Sequence, residues 1–383
     1  MAEIKRTGAF TLLAVACLTI MVGCVIVPGL TEVAEHLGTP EAASWLVTVP
    51  SLGVVIFGPF AGWFIGRAGT YRALCWGLFL YGLLGSAGMF LYGLVPVMLD
   101  RLLLGGATAI VMSAGTGLIS SFYSGQARLK MIASQGMSIE LGGVIFLFIG
   151  GLLATLGWQW PFLLYLFAWV LLAMQLAFVP EPLSCGTENM NESAGESESV
   201  SMARLAPVLF AALLSMICFF TGIIIIPQVF SRMTIGAAET GYFLSFISLV
   251  AVGAAAMMPR LIARLREYGT LYTAFSCYAA GHLIFSFADN VVFYIAGGVL
   301  MGCGFGLSVP LVNHMTVEQS HARVRGRNLA WLSMAIFSGQ FLSSFMEFIP
   351  GDSSVIFRGA AIMAVAVIVA LMVIHRKRRF KTA

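Results

Sequence analysis

Charged side chains are so scarce inside the apolar runs of this sequence that each one is a candidate for chemistry. Glu140, in SQGMSIELGGVIFLF (134–148), is the deepest of them. Burial favours the neutral form of a carboxyl, and a nearby cation favours the charged form. A carboxyl poised between the two loads and releases a proton, so Glu140 is a candidate proton carrier. Two structural roles are equally open to it: permanent partner of Arg101, or buried hydrogen-bonded acid. Arg101 follows Asp100 in DRLLLGGATA (100–109), and its structural reading is a fixed ion pair with Asp100 or Glu140.

The second half of the chain offers His282, His314 and Glu318, the last one helical turn beyond His314. Histidine changes charge near neutral pH, but Glu318 falls near a span end, which suggests an interfacial pair with His314. Gln135, Asn313, His314 and Gln340 are candidates for polar contacts in a substrate cavity, and Glu347 and Asp352 read as solvated. No H-E-x-x-H, no metal-spaced cluster and no nucleophile–base pair is evident, so neither an enzyme nor a metal site is expected. The phosphate-cradling pattern G-x-x-x-x-G-K-[ST] is absent, which argues against direct use of ATP. The seven cysteines include no C-x-x-C and read as small apolar residues.

The elements that position these groups follow from composition. The 383 residues are 59% hydrophobic and 10% charged, with a mean hydropathy of +0.94. A soluble domain carries roughly 25% charged residues. The solvent for most of this chain is therefore lipid, where backbone polar groups must be satisfied within the protein. The apolar runs have the length of helices that cross ~30 Å of hydrocarbon. They fall at 9–30, 43–65, 72–93, 96–122, 131–155, 158–179, 205–229, 240–261, 269–287, 291–317, 328–349 and 355–374. That makes twelve. Glu140 is nine residues into the fifth, ~13 Å deep at 1.5 Å per residue. Gly136, Gly143 and Gly151 lie roughly along its face, and small residues let helices approach closely in lipid.

Charge sets the orientation. With the N-terminus in the cytoplasm, eighteen of the 21 Lys and Arg fall in inside segments; Arg232 and Arg358 fall outside, and Arg101 lies within a span. This is the positive-inside bias, and both basic termini are expected to be cytoplasmic. MVGC (21–24) is close to a lipoprotein cleavage box, but the apolar run continues past Cys24, so the first helix is expected to be retained. The tail HRKRRFK (375–381), directly after a span, suits anionic-lipid contact rather than nucleic acid.

Residues 184–203, SCGTENMNESAGESESVSMA, are polar and small, the composition of a mobile cytoplasmic linker. They divide the chain into 1–183 and 204–383, each with six spans, the second ending in the basic tail. The two parts echo each other. PFAGWFIGRAGT (59–70) and PRLIARLREYGT (259–270) share Pro59/Pro259, Gly69/Gly269 and Thr70/Thr270, and ARLK (127–130) answers ARVR (322–325). Parallel six-helix repeats with a midplane substrate site are a plan of secondary transporters.

With these motifs in order, the sequence resembles the major facilitator superfamily over essentially its whole length. The link GWFIGRAGTYR (62–72) is similar to that family's G-x-L-A-D-R-x-G-R-R loop: Gly62, Arg67, Gly69 and Arg72 fit, and Gly66 stands where the family has Asp. In the family that loop is a conformational switch whose Asp helps lock one face. Here the latch must be built otherwise, for instance from Glu267. RLLLGGATA (101–109) is similar to R-x-x-Q-G-x-G-A-A, with Arg101, Gly105 and Ala109 in register. IGGLLATLGWQWPF (149–162) resembles the antiporter signature through Gly150, Gly151, Gly157, Trp158 and Trp160, although its Gly-Pro would fall at Phe146 and Leu147. VPEP (179–182) resembles the usual exit from the sixth span. The resemblance implies an all-α membrane protein of twelve transmembrane helices in two six-helix repeats, a coupling role for Arg101, and a monomer.

The sequence-level expectation is a secondary transporter in a bacterial inner membrane. It would move a small amphipathic molecule by alternating access, outward in exchange for protons, with the proton gradient as energy source and no cofactor. Its 20 Met and 29 Phe would suit a cavity for varied apolar ligands. The rivals are a proton-independent facilitator or importer, a lipid-acting membrane enzyme, and a sensor or scaffold.

Overall fold

Lipid offers a peptide group no hydrogen-bond partner, so a spanning chain must pair with itself. The computed structural model describes residues 4–181, 197–320 and 324–382, and no strand occurs among them. The helices are α1 (Arg6–Cys24), α2 (Leu30–His36), α3 (Ala43–Ala68), α4 (Thr70–Ala87), α5 (Leu94–Phe122), α6 (Gly125–Ala154), α7 (Phe167–Phe178), α8 (Ser197–Arg232), α9 (Ala237–Phe287), α10 (Val291–Glu318), α11 (Arg325–Leu342) and α12 (Ser353–Thr382). Short 3-10 segments extend several of them, including Gly88–Phe90 after α4 and Trp160–Leu166 before α7. Eleven elements are long and apolar enough to cross a membrane. One of these, α9, has 51 residues and a non-helical break at Arg266. At 1.5 Å per residue it would run ~77 Å, more than twice the hydrocarbon thickness. It is therefore two spans, and the expected count of twelve stands.

The linker stretch 184–203 is only partly described. Residues 184–196 lie outside the described residues, while 197–203 already belong to α8, so the helix begins inside the polar stretch. The chain packs as two units, Met1–Asn191 with Phe230–Ser245, and Glu192–Val229 with Phe246–Ala383. The short piece Phe230–Ser245 joins the first unit for local reasons. An added Cβ on Gly151 of α6 would lie 2.8 Å from the Gly241 Cα. The Ser245 hydroxyl donates to the Val144 carbonyl at 2.8 Å.

In each unit glycines set the helix crossings. In the first, a Cβ on Gly53 of α3 would lie 2.2 Å from the Leu102 carbonyl oxygen, and one on Gly105 of α5 would lie 2.0 Å from that of Pro50. In the second, Gly302 and Gly306 of α10 would meet the Ile247 and Ala251 oxygens at 2.5 and 2.0 Å. No side chain fits at these points, so the backbones touch, and dispersion between them holds helices together where hydrophobic driving force is absent.

The repeat seen in the sequence is carried into the bonding. Tyr81 Oη donates to the Leu18 carbonyl at 2.7 Å, and His282 Nε2 donates to the Cys218 carbonyl at 2.8 Å. Both pairs tie the third span of a half to its first, about 200 residues apart. The second unit adds a further tie: the buried hydroxyls of Ser215, Tyr278 and Ser308 lie within 2.6–3.1 Å of one another. They join α8, α9 and α10.

Gly306→Ala must push α9 and α10 apart, because the clash is with backbone, and overpacking of this kind costs about 1–3 kcal/mol. Gly62→Ala has nothing within 4 Å of the new methyl. Thermal melting in detergent should therefore show a clear drop for Gly306→Ala and no drop for Gly62→Ala.

Candidate functional site

Arg101 is the largest side chain fully enclosed in the first unit, at 0% exposure. Four neighbours enclose it. Asp100 Oδ2 is 3.4 Å from its Nη2, and Nη1 donates to Tyr165 Oη at 3.4 Å. The Phe162 and Tyr165 rings lie under the guanidinium, 5.2 and 5.6 Å from its carbon. The 3-10 form of Trp160–Leu166 explains the two rings. At three residues per turn, positions i and i+3 eclipse, so Phe162 and Tyr165 present one face. Tyr165 Oη in turn donates to the Val22 carbonyl of the first span at 3.1 Å. Gly88 closes the last side: a Cβ there would fall 1.9 Å from Arg101 Nη2. Arg101 is thus an ion pair with Asp100, not with Glu140. Its Nε and Nη2, and Asp100 Oδ2, make no hydrogen bond among the described residues. The pair is held but not saturated.

Glu140 stands differently. It is half-buried in α6, ~15 Å from the Lys130 end of the span at 1.5 Å per residue. Among the described residues no hydrogen bond or ion pair engages its carboxylate, and Cys24 of α1 is within electrostatic reach. Both structural roles considered for Glu140, partner of Arg101 and hydrogen-bonded acid, are without support among the described residues. Of the three glycines expected along its face, Gly151 packs closely and Gly136 does not. Gly136 has nothing within 4 Å, whereas Gly142 meets the Cys17 side chain and Gly150 the Val25 carbonyl, at 2.9 and 2.3 Å for an added Cβ. Gly143 is buried, and Gly151 faces Gly241. The glycines of α6 therefore bring it against α1 and Phe230–Ser245.

The link between α3 and α4 turns at one residue. Gly69 has φ 81° and ψ 153°, which suits glycine; Gly62 and Gly66 are helical and face open space. The turn therefore does not need all three glycines. Arg67 lies over Trp63, 4.8 Å from the ring centre, and Arg72 pairs with Glu181 at 3.5 Å on the surface. Glu181, not an Asp in the loop, is the acid that engages this motif.

The cavity candidates separate. Gln135 is buried and donates to Thr116 Oγ1 at 2.9 Å. Asn313 donates to the Val309 carbonyl of its own helix at 3.0 Å. Gln340 is buried. His314 lies 3.7 Å from Glu267, so its acidic partner is Glu267 rather than Glu318. Glu347 is not simply solvated: it accepts a hydrogen bond from Gln228. Tyr165, Phe162 and Gly88 were not picked out from the sequence. The available signal was that a tyrosine in an apolar span needs a partner for its hydroxyl.

Removing one member of a buried pair strands the other, at a cost of about 3–5 kcal/mol, while removing both is far milder. Arg101→Met should therefore destabilise the chain strongly in denaturant titration, and Arg101→Met with Asp100→Asn should recover most of the loss. Equal loss in both would show that Asp100 is not the partner that matters.

Comparison with known proteins agrees with this geometry. The family model described as Major Facilitator Superfamily matches residues 11–344. The quinolone resistance protein NorA of Staphylococcus aureus is 29% identical over 140 residues, 36% of this chain and 36% of NorA. The arabinose-proton symporter of Escherichia coli (strain K12) is 27% identical over 186 residues, 46% of this chain and 39% of the symporter. The matched stretches thus span well under half the length of these relatives. The fold is that of a POT family transporter crystallised with 5-aminolevulinic acid, with TM-score 0.79, 12% identity and coverage of 97% and 96% of the two chains. A mutant of the nucleoside transporter NupG gives TM-score 0.71 at 11% identity, over 95% and 99%. With twelve spans in two repeats and a family match over most of its length, this chain belongs to the major facilitator superfamily.

Proposed function

We propose that this protein exports a small amphipathic molecule across a bacterial inner membrane in exchange for protons. The observation that carries the reading is Glu140: a carboxylate in mid-span, half-buried, with no hydrogen bond or ion pair among the described residues. A carboxyl already paired has little reason to change its proton occupancy, and one left unpaired in low dielectric favours the neutral form until water or a cation reaches it. Charged groups in a span otherwise pair, and an exception is functional by default. In this reading Glu140 takes a proton from the outside and gives it up inside as access alternates. Arg101, held by Asp100 but with unused donors, senses the change and couples it to the helices that Tyr165 ties together. The Gly62–Arg72 link acts as the conformational switch.

The name of NorA supports an exporter, and that of the arabinose-proton symporter supports proton coupling. The symporter also favours the second reading, an importer. Gly66 in place of the family's Asp favours a proton-independent facilitator. In all of these readings the protein is a monomeric transporter and not an enzyme. It has both termini in the cytoplasm, needs no cofactor and does not bind nucleic acid.

The test uses inside-out vesicles, a pH-gradient dye, and a panel of quinolones together with arabinose. The expected result is that one or more quinolones dissipate the gradient with wild type, and that Glu140→Gln reduces the response at least tenfold at equal protein level. A labelled compound carried equally by wild type and Glu140→Gln, with the gradient untouched, overturns proton coupling through Glu140.

A further inference from the structure

Arg101 pairs with Asp100 and not with Glu140, yet the first span touches the surroundings of both. On one side of α1, two hydroxyls reach carbonyls one helical turn apart. Tyr81 Oη donates to Leu18 at 2.7 Å, and Tyr165 Oη donates to Val22 at 3.1 Å. Elsewhere α1 meets α6, the helix of Glu140. Cys17 Sγ donates to the Ser138 carbonyl at 3.0 Å, Cys24 is within electrostatic reach of Glu140, and Gly150 lies against the Val25 carbonyl. Residues 22–25 therefore stand between the Arg101 enclosure and Glu140. They are also the end of a helix. α1 stops at Cys24, and an α-helix leaves its last four carbonyls without donors of its own. Pro28 has no N–H, so the α-helical bond to the Cys24 carbonyl cannot form. The helix dipole gives this end a partial negative charge.

We propose that the end of the first span, residues 22–25, connects Arg101 to Glu140, and that Tyr165 is the positioning residue that fastens Arg101 to it. The phenol oxygen accepts from Arg101 Nη1 at 3.4 Å while its proton caps the Val22 carbonyl. A buried cation is thereby set at the negative end of the first span. The third span makes room for both partners. Gly85 lies directly against the Tyr165 ring, where no Cβ fits, and three residues on Gly88 does the same for Arg101. Tyr81 caps a carbonyl one turn earlier and, among the described residues, makes no hydrogen bond to Arg101. A guanidinium that moves relative to Asp100 carries the phenol oxygen with it, and the phenol proton pulls on Val22. The chain is helical through Cys24, so the displacement reaches Cys24 and Val25, which α6 holds at Gly150. Such a run of hydrogen bonds and packed backbone is what transmits a change between sites that do not touch. The connection serves transport only if Glu140 and Arg101 act together as proposed above, and it gives them a path.

The test is magic-angle-spinning NMR of the full chain in lipid bilayers, labelled with carbon-13 at the glutamate carboxyls, without substrate and at a single pH. The Glu140 signal is the one that disappears in Glu140→Gln. Tyr165→Phe keeps the ring and removes the hydroxyl. Tyr81→Phe does the same one turn away, so each variant loses one buried bond to a carbonyl of α1 and the structural cost is matched. The Glu140 signal should move by more than its linewidth in Tyr165→Phe and in Arg101→Lys, and stay in place in Tyr81→Phe. If Tyr165 only holds helices together, Tyr81→Phe moves the signal as far as Tyr165→Phe does, and that result overturns the proposal. A Glu140 signal that stays in place in Arg101→Lys overturns it as well. Should Arg101→Lys not fold, Arg101→Met with Asp100→Asn takes its place. No substrate is present, so a negative result here leaves proton exchange through Glu140 standing, and a negative gradient assay leaves the connection standing.

Discussion

Contact between bare backbones is the interaction on which the rest of this molecule depends. In lipid, leucine gains nothing by leaving its surroundings, so helices associate through close dispersion contacts and shared polar groups. Gly53 with Gly105, and Gly302 with Gly306, put one helix against the carbonyl oxygens of another. At such distances a single methyl is too much. The side chains around the crossing are therefore fixed in direction, and the polar groups on those helices meet partners rather than hydrocarbon.

What those polar groups do follows from how fully they are paired. Tyr81, His282 and the Ser215–Tyr278–Ser308 cluster are tied to neighbours. They hold helices in register. Arg101 is enclosed by an acid, two aromatic rings and a glycine, yet keeps unused donors. Among the described residues none forms a hydrogen bond or ion pair with the Glu140 carboxylate. The gradation from tied to untied separates structure from function more clearly than burial does, because a satisfied group has nothing to exchange.

The two halves share a plan but not its details. Both link their second and third spans with a residue at positive φ, yet the first uses glycine and the second arginine. Both tie their third span to a carbonyl of their first, yet one uses a phenol and the other an imidazole. Among the described residues, a buried charged pair stands beside the glycine crossing of the first half and not beside that of the second. A duplicated scaffold has kept its backbone contacts, where volume is limiting, and varied the side chains where it is not.

Much of this was legible in the residues. Composition required lipid, run lengths required about twelve helices, and the Pro, Gly and Thr offsets revealed two repeats, because each rests on local chain physics. Glu140 and Arg101 stood out for the same reason: charge in an apolar run needs no tertiary knowledge to notice. The partners did not follow. Asp100 rather than Glu140 for Arg101, Glu267 rather than Glu318 for His314, Glu181 for Arg72, and Gln228 for Glu347 depend on which helices lie side by side. So does the packing of the α6 glycines, where Gly142 meets Cys17, Gly150 meets Val25 and Gly136 faces open space. Helical spacing gives a face to within a residue or two, but a contact of 2–3 Å is decided by crossing angle and depth. Those are properties of two helices at once, and only the tertiary structure holds both.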